Sequence, residues 1–424
     1  MKIVKVGMPL VLVAALAACS GNAAESGGRT TITFSYLWSG PEGEAIEKLI
    51  AAFNAGQNKI TVKGVSSPDT QKQLASMSSA NGTFDISDNF GNTVGSWAAK
   101  GILAPLDDLL KGQGVDTGAF APAAMDQMRH KGRTYALPIA VHTFQLVYNK
   151  KLLAAAGVEP PTTMDELAAA IPKLTKTDGK GAITQLGLGN PSLPTSITTL
   201  GYAFGGTWDG ADPADPAPTP GDPGNLAALT FWQDNITKKY GADQVSAFKA
   251  GWGQYMSAQD PFYTGKVAMI IDGEWQAVSI PKNAPGLEWG VSPVPVARPE
   301  LDGTTQLTAS TLFIPANSKH RQEAAAFLAY LVSESAAREL SLALGDLPAR
   351  TGLAGDPAYA KIANFDAWLA AMKSPKVRSL SSAPYAAEYA ADLESAFDSV
   401  ARGTATPGEA MAKVAGRASG YAKG

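Results

Sequence analysis

The stretch "FYTGKVAMIIDGEW" (262–275) begins with the pattern of a core strand, and this pattern ends at the four residues Asp272-Gly273-Glu274-Trp275. Residues 267–271 form an apolar run of the length and composition that indicate a buried strand. Asp272 and Gly273 end the run, and Gly273 permits a sharp turn because it has no Cβ. The turn then leads to Trp275, a large apolar side chain where exposure to water is expected. The role of a tryptophan at this position depends on the other segments of the chain.

Strand and helix patterns alternate at the start of the folded region. "TTITFSYL" (30–37) places apolar residues at every second position, which predicts a strand. An apolar stripe at helical spacing follows between Pro41 and Gly56. Residues 59–65 and 84–89 then predict two further strands. This alternation favours an α/β fold with a largely parallel sheet.

The N-terminus has the form of a targeting signal. Lys2 and Lys5 precede a short apolar run that ends in Leu16-Ala17-Ala18-Cys19, similar to the lipobox of bacterial lipoproteins. We expect a signal peptide at 1–18 and a lipidated, flexible tether at 19–29. The alternative is an ordinary secretory signal with an accidental cysteine. Cys19 is the only cysteine in the chain, so an intramolecular disulfide is not possible.

The composition limits the classes of function. The length of 424 residues favours two lobes. The net charge of −3 argues against a nucleic-acid partner, which would favour a basic protein. Its three histidines are scattered and form no HExxH motif, so a metal site is not expected. There is no P-loop and no G-x-S-x-G motif, and we expect no cofactor.

Several segments, in this order, carry a family resemblance. They are "YALP" (135–138), "LVYNKKLLAAAGVEPPTTMDELAAA" (146–170), the opening stretch, "TLFIPANSKHRQEAAAFLAYL" (311–331) and "GDLPAR" (345–350). Together with the leader, they resemble the extracellular solute-binding proteins of carbohydrate ABC importers, the maltose-binding-protein-like group. The resemblance covers nearly all of the chain that follows the signal peptide.

The resemblance implies an α/β, two-lobe periplasmic-binding-protein-like fold with a ligand cleft between the lobes and hinge crossings. It places residues 30–138 and 280–338 in lobe one, and 139–279 and 339–424 in lobe two. It also implies a monomeric, non-enzymatic receptor on the extracytoplasmic face of the cell membrane. Such a receptor binds a sugar and delivers it to membrane-embedded ABC permease subunits.

A sugar site needs aromatic platforms for C–H faces and polar groups for hydroxyls. With the resemblance, the expected aromatic contacts are Trp275, Trp38 and Trp208; each has core packing as its alternative. The expected polar contacts, with structural roles as their alternative, are Glu42, Asp88, Asn89, His142, Thr311 and Arg350. The roles of Asp272, Glu274 and Trp252 stay open, whereas Trp97, Trp232, Trp289 and Trp368 are expected in the packing.

Two other classes of function compete with the sugar receptor. A binding protein for another solute, such as a polyamine, a peptide or a glycerol phosphate ester, would have the same fold. A secreted glycoside hydrolase would need two carboxylates about 5–9.5 Å apart across a sugar bond. Many acids are present, but no motif supports a catalytic pair. The identity and length of a sugar ligand do not follow from the sequence.

Overall fold

The computed structural model describes residues 28–190, 193–210 and 217–421. The predicted signal peptide, Cys19 and the tether up to residue 27 lie outside the described residues. Within the described part of the chain, no helix has both the length and the apolar character needed to cross a bilayer.

The strands follow the predicted alternation. They are β1 (Thr30–Tyr36), β2 (Ile60–Ser66), β3 (Ile86–Phe90), β4 (Arg129–His130), β5 (Arg133–Thr134), β6 (Ala136–Asn149), β7 (Lys176–Thr177), β8 (Ile183–Leu188), β9 (Val267–Gly273), β10 (Trp289–Ser292), β11 (Leu307–Phe313) and β12 (Leu347–Pro348).

Helices connect and cover these strands. They are α1 (Gly40–Gly56), α2 (Thr70–Ser78), α3 (Gly91–Ala99), α4 (Asp107–Gly112), α5 (Pro122–Gln127), α6 (Lys150–Ala155), α7 (Met164–Leu174), α8 (Leu193–Ala203), α9 (Pro223–Trp232), α10 (Lys238–Tyr240), α11 (Ala242–Ala250), α12 (Gln276–Asn283), α13 (Arg321–Leu331), α14 (Glu334–Leu344), α15 (Asp366–Met372), α16 (Ala386–Ala401) and α17 (Pro407–Tyr421). A π-helical turn at Gln233–Thr237 joins α9 to α10.

The long strand β6 joins two halves of the sheet. In the first half, β1 pairs in parallel with β2 and β3, and β11 pairs antiparallel with both β3 and residues 136–143 of β6. In the second half, β9 pairs with residues 144–148 of β6 and lies parallel to β8. Among the described residues, parallel pairing in this sheet is therefore confined to β1 with β2 and β3 and to β8 with β9. The other pairings of the sheet are antiparallel, so the expectation of a largely parallel sheet is wrong.

The pairing of β10 moves one predicted crossing. Residues 289–292 pair with residues 146–149 of β6, which belong to the second half of the sheet. The chain therefore returns to the first half between residues 293 and 306, and not at residue 280. β12 pairs with Ala140 and Val141 of β6. The lobe boundaries as a whole stay a prediction.

Local signals place the helices where the sequence predicts them. The capping box at the start of α7 is present: Glu166 N–H donates to Thr163 Oγ1 at 3.2 Å, and Thr163 N–H donates to a Glu166 carboxylate oxygen at 3.2 Å.

The strand β9 is buried along its whole length, as its apolar run indicates. Trp97, Trp232, Trp289 and Trp368 are at most 7% exposed, in agreement with their expected role in packing.

Candidate functional site

The ends of β1, β2 and β3 form one rim of the candidate site, since parallel strands place their carboxyl ends at the same edge. Trp38 follows β1 and is half-buried, and Glu42 is exposed in the first turn of α1. Asp88 is buried at the end of β3, where its carboxylate accepts a hydrogen bond from Leu37 N–H at 2.8 Å. Burial raises the pKa of Asp88 to about 8, although this hydrogen bond opposes the shift.

The structure does not bring all of the expected polar residues to this rim. Asn89 is buried and donates from its amide to Gln73 Oε1 at 2.6 Å. Thr311 is fully buried, and its hydroxyl donates to the backbone carbonyl of Asn89 at 3.0 Å. Both side chains therefore tie β3 to its neighbours α2 and β11. Their predicted contact with ligand is corrected to a structural role, because their polar atoms are already paired inside the fold.

The turn after β9 forms the opposite rim. Trp275 is half-buried, and its indole N–H donates to the hydroxyl of Tyr255 at 2.6 Å. That hydroxyl donates to the carboxylate of Asp272, with both oxygens at 2.8 Å. The open question about Asp272 is answered by this chain of contacts. The Asp272 carboxylate orients Tyr255 through one hydrogen bond, and Tyr255 orients the indole of Trp275 through another.

Two features keep this turn in place. Asp272 also accepts hydrogen bonds from Gly273 N–H and the Gln276 amide, each at 2.8 Å. Burial raises the pKa of Asp272 to about 7, and these hydrogen bonds oppose the shift. A Cβ on Gly273 would lie only 2.3 Å from the ring of Trp275, so a side chain at this position would displace the indole.

His142 lies beside Trp275 at the junction of the two halves. Its ring meets the indole edge-to-face with centroids 5.7 Å apart, and Phe144 packs on the same indole with centroids 5.8 Å apart. His142 Nδ1 is 2.6 Å from Glu274 Oε1, and Nε2 is 3.0 Å from Ser310 Oγ. His142 therefore connects β6, β11 and the turn after β9.

The charges around His142 favour its protonated form. Burial lowers its pKa, but attraction to Glu274, the hydrogen bond to Glu274 and attraction to Asp346 outweigh burial and raise the pKa to about 9. Glu274 is fully buried, and its second oxygen accepts from Thr143 N–H at 3.2 Å. With both ring nitrogens protonated, His142 donates to Glu274 and to Ser310. Glu274 thus supports His142 from inside the fold.

Two further carboxylates surround this pair. Asp346 Oδ1 lies 4.0 Å from His142 Nδ1. Burial and the negative charge of Glu274 raise the pKa of Asp346 to about 6, and His142 opposes the shift. Glu42 is exposed to water, but partial burial of its carboxyl group, followed by repulsion from Asp346, raises its pKa. Glu42 on the first rim and Asp346 beside β12 therefore lie close enough to repel each other across the site.

The same cluster contains the atoms that come nearest to a metal site. In the described residues, His142, Glu274 and Asp346 each contribute one potential ligand atom, and these three atoms lie within 4.8 Å of one another. The nitrogen of His142 and the oxygen of Glu274 are at hydrogen-bond distance, so they satisfy each other without an ion. The expectation that the protein needs no metal stays a prediction.

Two other predicted contacts lie away from this cluster. Trp208 is fully buried, donates from its indole to Thr198 O at 2.9 Å and packs edge-to-face on Phe397. Its burial and its paired indole N–H support the alternative role of core packing rather than the predicted role in ligand binding. Arg350 donates to Val332 O at 3.0 Å and covers the ring of Phe120, so its contacts are those of a structural residue.

A separate cavity of about 720 Å³ lies beside Trp208, with the exposed Arg378 and the half-buried Asp209 in its wall. Apart from Trp208, it includes none of the predicted site residues. Asp209 accepts a hydrogen bond from Ser381 N–H at 2.8 Å across this cavity wall. The cavity is therefore distinct from the cluster of Trp275 and His142.

Sequence reasoning missed several residues near the two rims. Phe90 ends β3 and is 57% exposed. Tyr255 positions Trp275, and Asp346 approaches His142. Asn190 follows β8 and is 2% exposed, yet its amide has no hydrogen-bond partner among the described residues. The available signal was position, because Phe90 is the last residue of β3 and Asn190 lies two residues after the end of β8.

Comparison with known proteins places this arrangement in a family. Residues 38–338 match the sequence profile of the bacterial extracellular solute-binding proteins. A maltotriose-binding protein of Pyrococcus abyssi is 26% identical over 272 residues, which cover 62% of this chain and 54% of that protein. The chain thus spans about half the length of that relative.

Solved structures agree with the two-lobe fold. CpMnBP1 with mannotriose bound is 28% identical, with a TM-score of 0.78 and coverage of 92% of this chain and 100% of that chain. The GacH receptor of Streptomyces glaucescens, solved unliganded and with acarbose, is 25% identical, with a TM-score of 0.74 and coverage of 93% and 98%. The fold is thus the two-lobe binding-protein fold, with β6 as a strand that crosses between the lobes. The chain belongs to the family of bacterial extracellular solute-binding proteins.

Proposed function

We propose that this protein is an extracytoplasmic receptor that binds a sugar between its lobes and delivers it to an ABC permease. The observation that carries the proposal is the fixed indole of Trp275, which Tyr255 and Asp272 orient at the junction of the lobes. A flat aromatic surface of this kind suits the C–H face of a pyranose ring. The similar proteins whose names include maltotriose, mannotriose or acarbose support a carbohydrate ligand.

The proposed ligand contacts come from both rims. Trp275 supplies the platform on lobe two, and Trp38 and Glu42 supply an aromatic and a carboxylate on lobe one. Carboxylates suit sugar hydroxyls because a charged acceptor forms shorter and stronger hydrogen bonds than a neutral one. We propose that Asp88 contributes a carboxylate to the floor of this site. We propose that His142 contributes only its ring surface, since both of its nitrogens are paired with Glu274 and Ser310.

Binding would act through the equilibrium between open and closed forms. A ligand that touches Trp275 on one lobe and Glu42 on the other makes all of its contacts only when the lobes are closed. Such a ligand shifts the population towards the closed form by its difference in affinity for the two forms. The crossing strand β6 and the segment 293–306 are the proposed hinge, since both connect the two halves of the sheet.

The remaining parts of the proposal concern location and partners. We propose a lipid on Cys19, a flexible tether and a monomeric receptor that meets the permease at the extracytoplasmic face of the membrane. Lipid chains on a terminal cysteine hold a soluble domain at a bilayer by burial of their CH₂ groups. We also propose that the protein has no enzymatic activity of its own, in keeping with a family of binding proteins.

A titration with maltotriose and mannotriose tests the proposal. The protein without its leader is mixed with each sugar, and tryptophan fluorescence and heat of binding are recorded. The expected result is saturable binding with all of the sugar recovered intact by chromatography. Absence of binding to a wider panel of saccharides contradicts a sugar receptor. Release of smaller sugars during incubation supports the glycoside hydrolase instead.

A further inference from the structure

Phe90 exposes an aromatic ring at the rim opposite Trp275. Its side chain is 57% exposed, while residues 86–89 of the same strand are buried. Single exposed apolar residues are common on protein surfaces and by themselves indicate nothing. Phe90 differs from such residues because it lies next to the candidate site.

Strand register connects Phe90 to the centre of the site. Phe90 lies directly opposite Ser310 in the antiparallel pairing of β3 and β11. Side chains at directly opposite positions lie on the same face of a sheet. The hydroxyl of Ser310 is 3.0 Å from His142 Nε2, and the ring of His142 packs on Trp275. Phe90 is thus separated from Trp275 by two neighbouring side chains, Ser310 and His142.

The two aromatic residues belong to different lobes. Phe90 ends β3 in the first half of the sheet, and Trp275 follows β9 in the second half. With two side chains between them, one pyranose ring that stacks on Trp275 leaves the ring of Phe90 to a neighbouring sugar unit. Because the platforms are on separate lobes, a ligand long enough to reach both gains contacts when the lobes close.

We propose that Phe90 is a second sugar-stacking platform that makes this receptor selective for saccharides of two or more units. This inference rests on the proposed sugar-binding function and extends it to the length of the ligand. Trp275 takes one unit and Phe90 takes an adjacent unit from the other lobe. A monosaccharide reaches Trp275 only and therefore binds without help from Phe90.

The test compares mannotriose and maltotriose with mannose and glucose. Calorimetric affinities are measured for the wild type and for Phe90→Ala, Phe90→Trp and Val278→Ala. Val278 is a matched control, since it is 39% exposed and lies on α12. Phe90→Ala is expected to weaken trisaccharide binding about tenfold, the loss of one stacking contact. Phe90→Trp restores tight binding, and Val278→Ala leaves it unchanged.

One control measurement and three possible titration results decide the outcome. The melting temperature of the free Phe90→Ala protein should equal that of the wild type, since the ring is exposed. Unchanged trisaccharide affinity in Phe90→Ala overturns the inference while the receptor function stands. An equal loss for mono- and trisaccharides also overturns it, because Phe90 would then not serve a separate unit. If the titration panel finds a monosaccharide that binds as tightly as the corresponding oligosaccharide, the proposed selectivity is likewise wrong.

Discussion

The indole N–H of Trp275 donates to the hydroxyl of Tyr255 at 2.6 Å, although the two residues are 20 positions apart in the chain. This contact orients the aromatic surface at the junction of the lobes. It also makes Trp275 dependent on a residue that is not among the expected ligand contacts. A site that is oriented before the ligand arrives loses less entropy on binding.

Tyr255→Phe tests this orientation. The change removes one hydroxyl, which leaves the indole N–H of Trp275 without its acceptor and Asp272 without one donor. We expect sugar affinity to fall about three- to tenfold, the effect of one hydrogen bond worth about 1 kcal/mol. Calorimetry measures the affinity, and the tryptophan emission of the free protein should shift to the red. Tyr240→Phe is the control, because its hydroxyl has no partner among the described residues. Equal affinity in Tyr255→Phe would show that the indole needs no such support.

Trp275→Ala and Trp208→Ala should separate binding from folding. Loss of the half-buried Trp275 is expected to weaken sugar binding by about 2 kcal/mol, roughly 30-fold, with little change in melting temperature. Loss of the fully buried Trp208 should lower the free energy of unfolding by about 3–5 kcal/mol, because it leaves a cavity. The folded fraction of Trp208→Ala should bind sugar normally. The reverse pattern, with binding lost only in Trp208→Ala, would contradict the site.

The pair of His142 and Glu274 predicts a dependence of stability on pH. The pKa of His142 is raised from 6.5 to about 9, so its stabilising charge is fully present below pH 6.5 and is lost as the pH rises through 9. The raised pKa of Asp272, about 7, and of Asp88, about 8, act in the same direction. We therefore expect the free energy of unfolding to fall between pH 6 and pH 9. Urea unfolding at pH 6, 7.5 and 9 measures it.

Two variants isolate the contribution of the pair. His142→Gln leaves Glu274 buried without its cation and should destabilise the protein by about 3 kcal/mol at pH 7. The double variant His142→Gln with Glu274→Gln removes both charges and should recover part of this loss. Its pH slope between 6.5 and 9 should be smaller than that of the wild type by up to about 1.4 kcal/mol per pH unit. An unchanged slope would show that His142 is not protonated in the folded protein.

Cys19→Ala tests the lipid anchor. The full-length chain is expressed in a bacterium that modifies lipoproteins, and membranes are separated from soluble material. The wild type is expected with the membranes, since acyl chains contribute roughly 0.8 kcal/mol per buried CH₂ group. Cys19→Ala should appear in the soluble fraction with unchanged sugar affinity. Ser20→Ala is the control and should stay with the membranes. A Cys19→Ala protein that still sediments with membranes would refute the anchor.

Local patterns were sufficient for much of the fold. The alternation of residues 30–37 predicts β1, which the structure places at Thr30–Tyr36. The apolar run 267–271 predicts the core of β9, and Thr163 with Glu166 predicts the start of α7. Each of these signals depends only on residues that are close together in the sequence. Such signals survive folding because buried strands and helix caps satisfy the same local rules in any tertiary setting.

Similar local signals misled at other positions. Trp208 follows a glycine turn and has the local setting of an exposed platform, yet Phe397 of α16 packs on its ring and Tyr389 of α16 donates to its backbone carbonyl. Asn89 lies beside Asp88 near the end of β3, but its amide donates inward to Gln73. Whether such a side chain faces solvent depends on the helix packed above it. For Trp208 the contact comes from Tyr389, 181 residues away, so no local pattern reports it.

The sequence by itself determined the alternation of strands and helices, the strand β9 and the turn at Gly273. It also indicated the family, since the motif segments recur in order. Only the tertiary structure decided which side chains meet. His142 and Glu274 are 132 residues apart, and their contact exists because β6 and β9 pair in one register. Hydrophobic patterns act over a few residues, whereas the pairing of polar groups depends on how complete elements pack together.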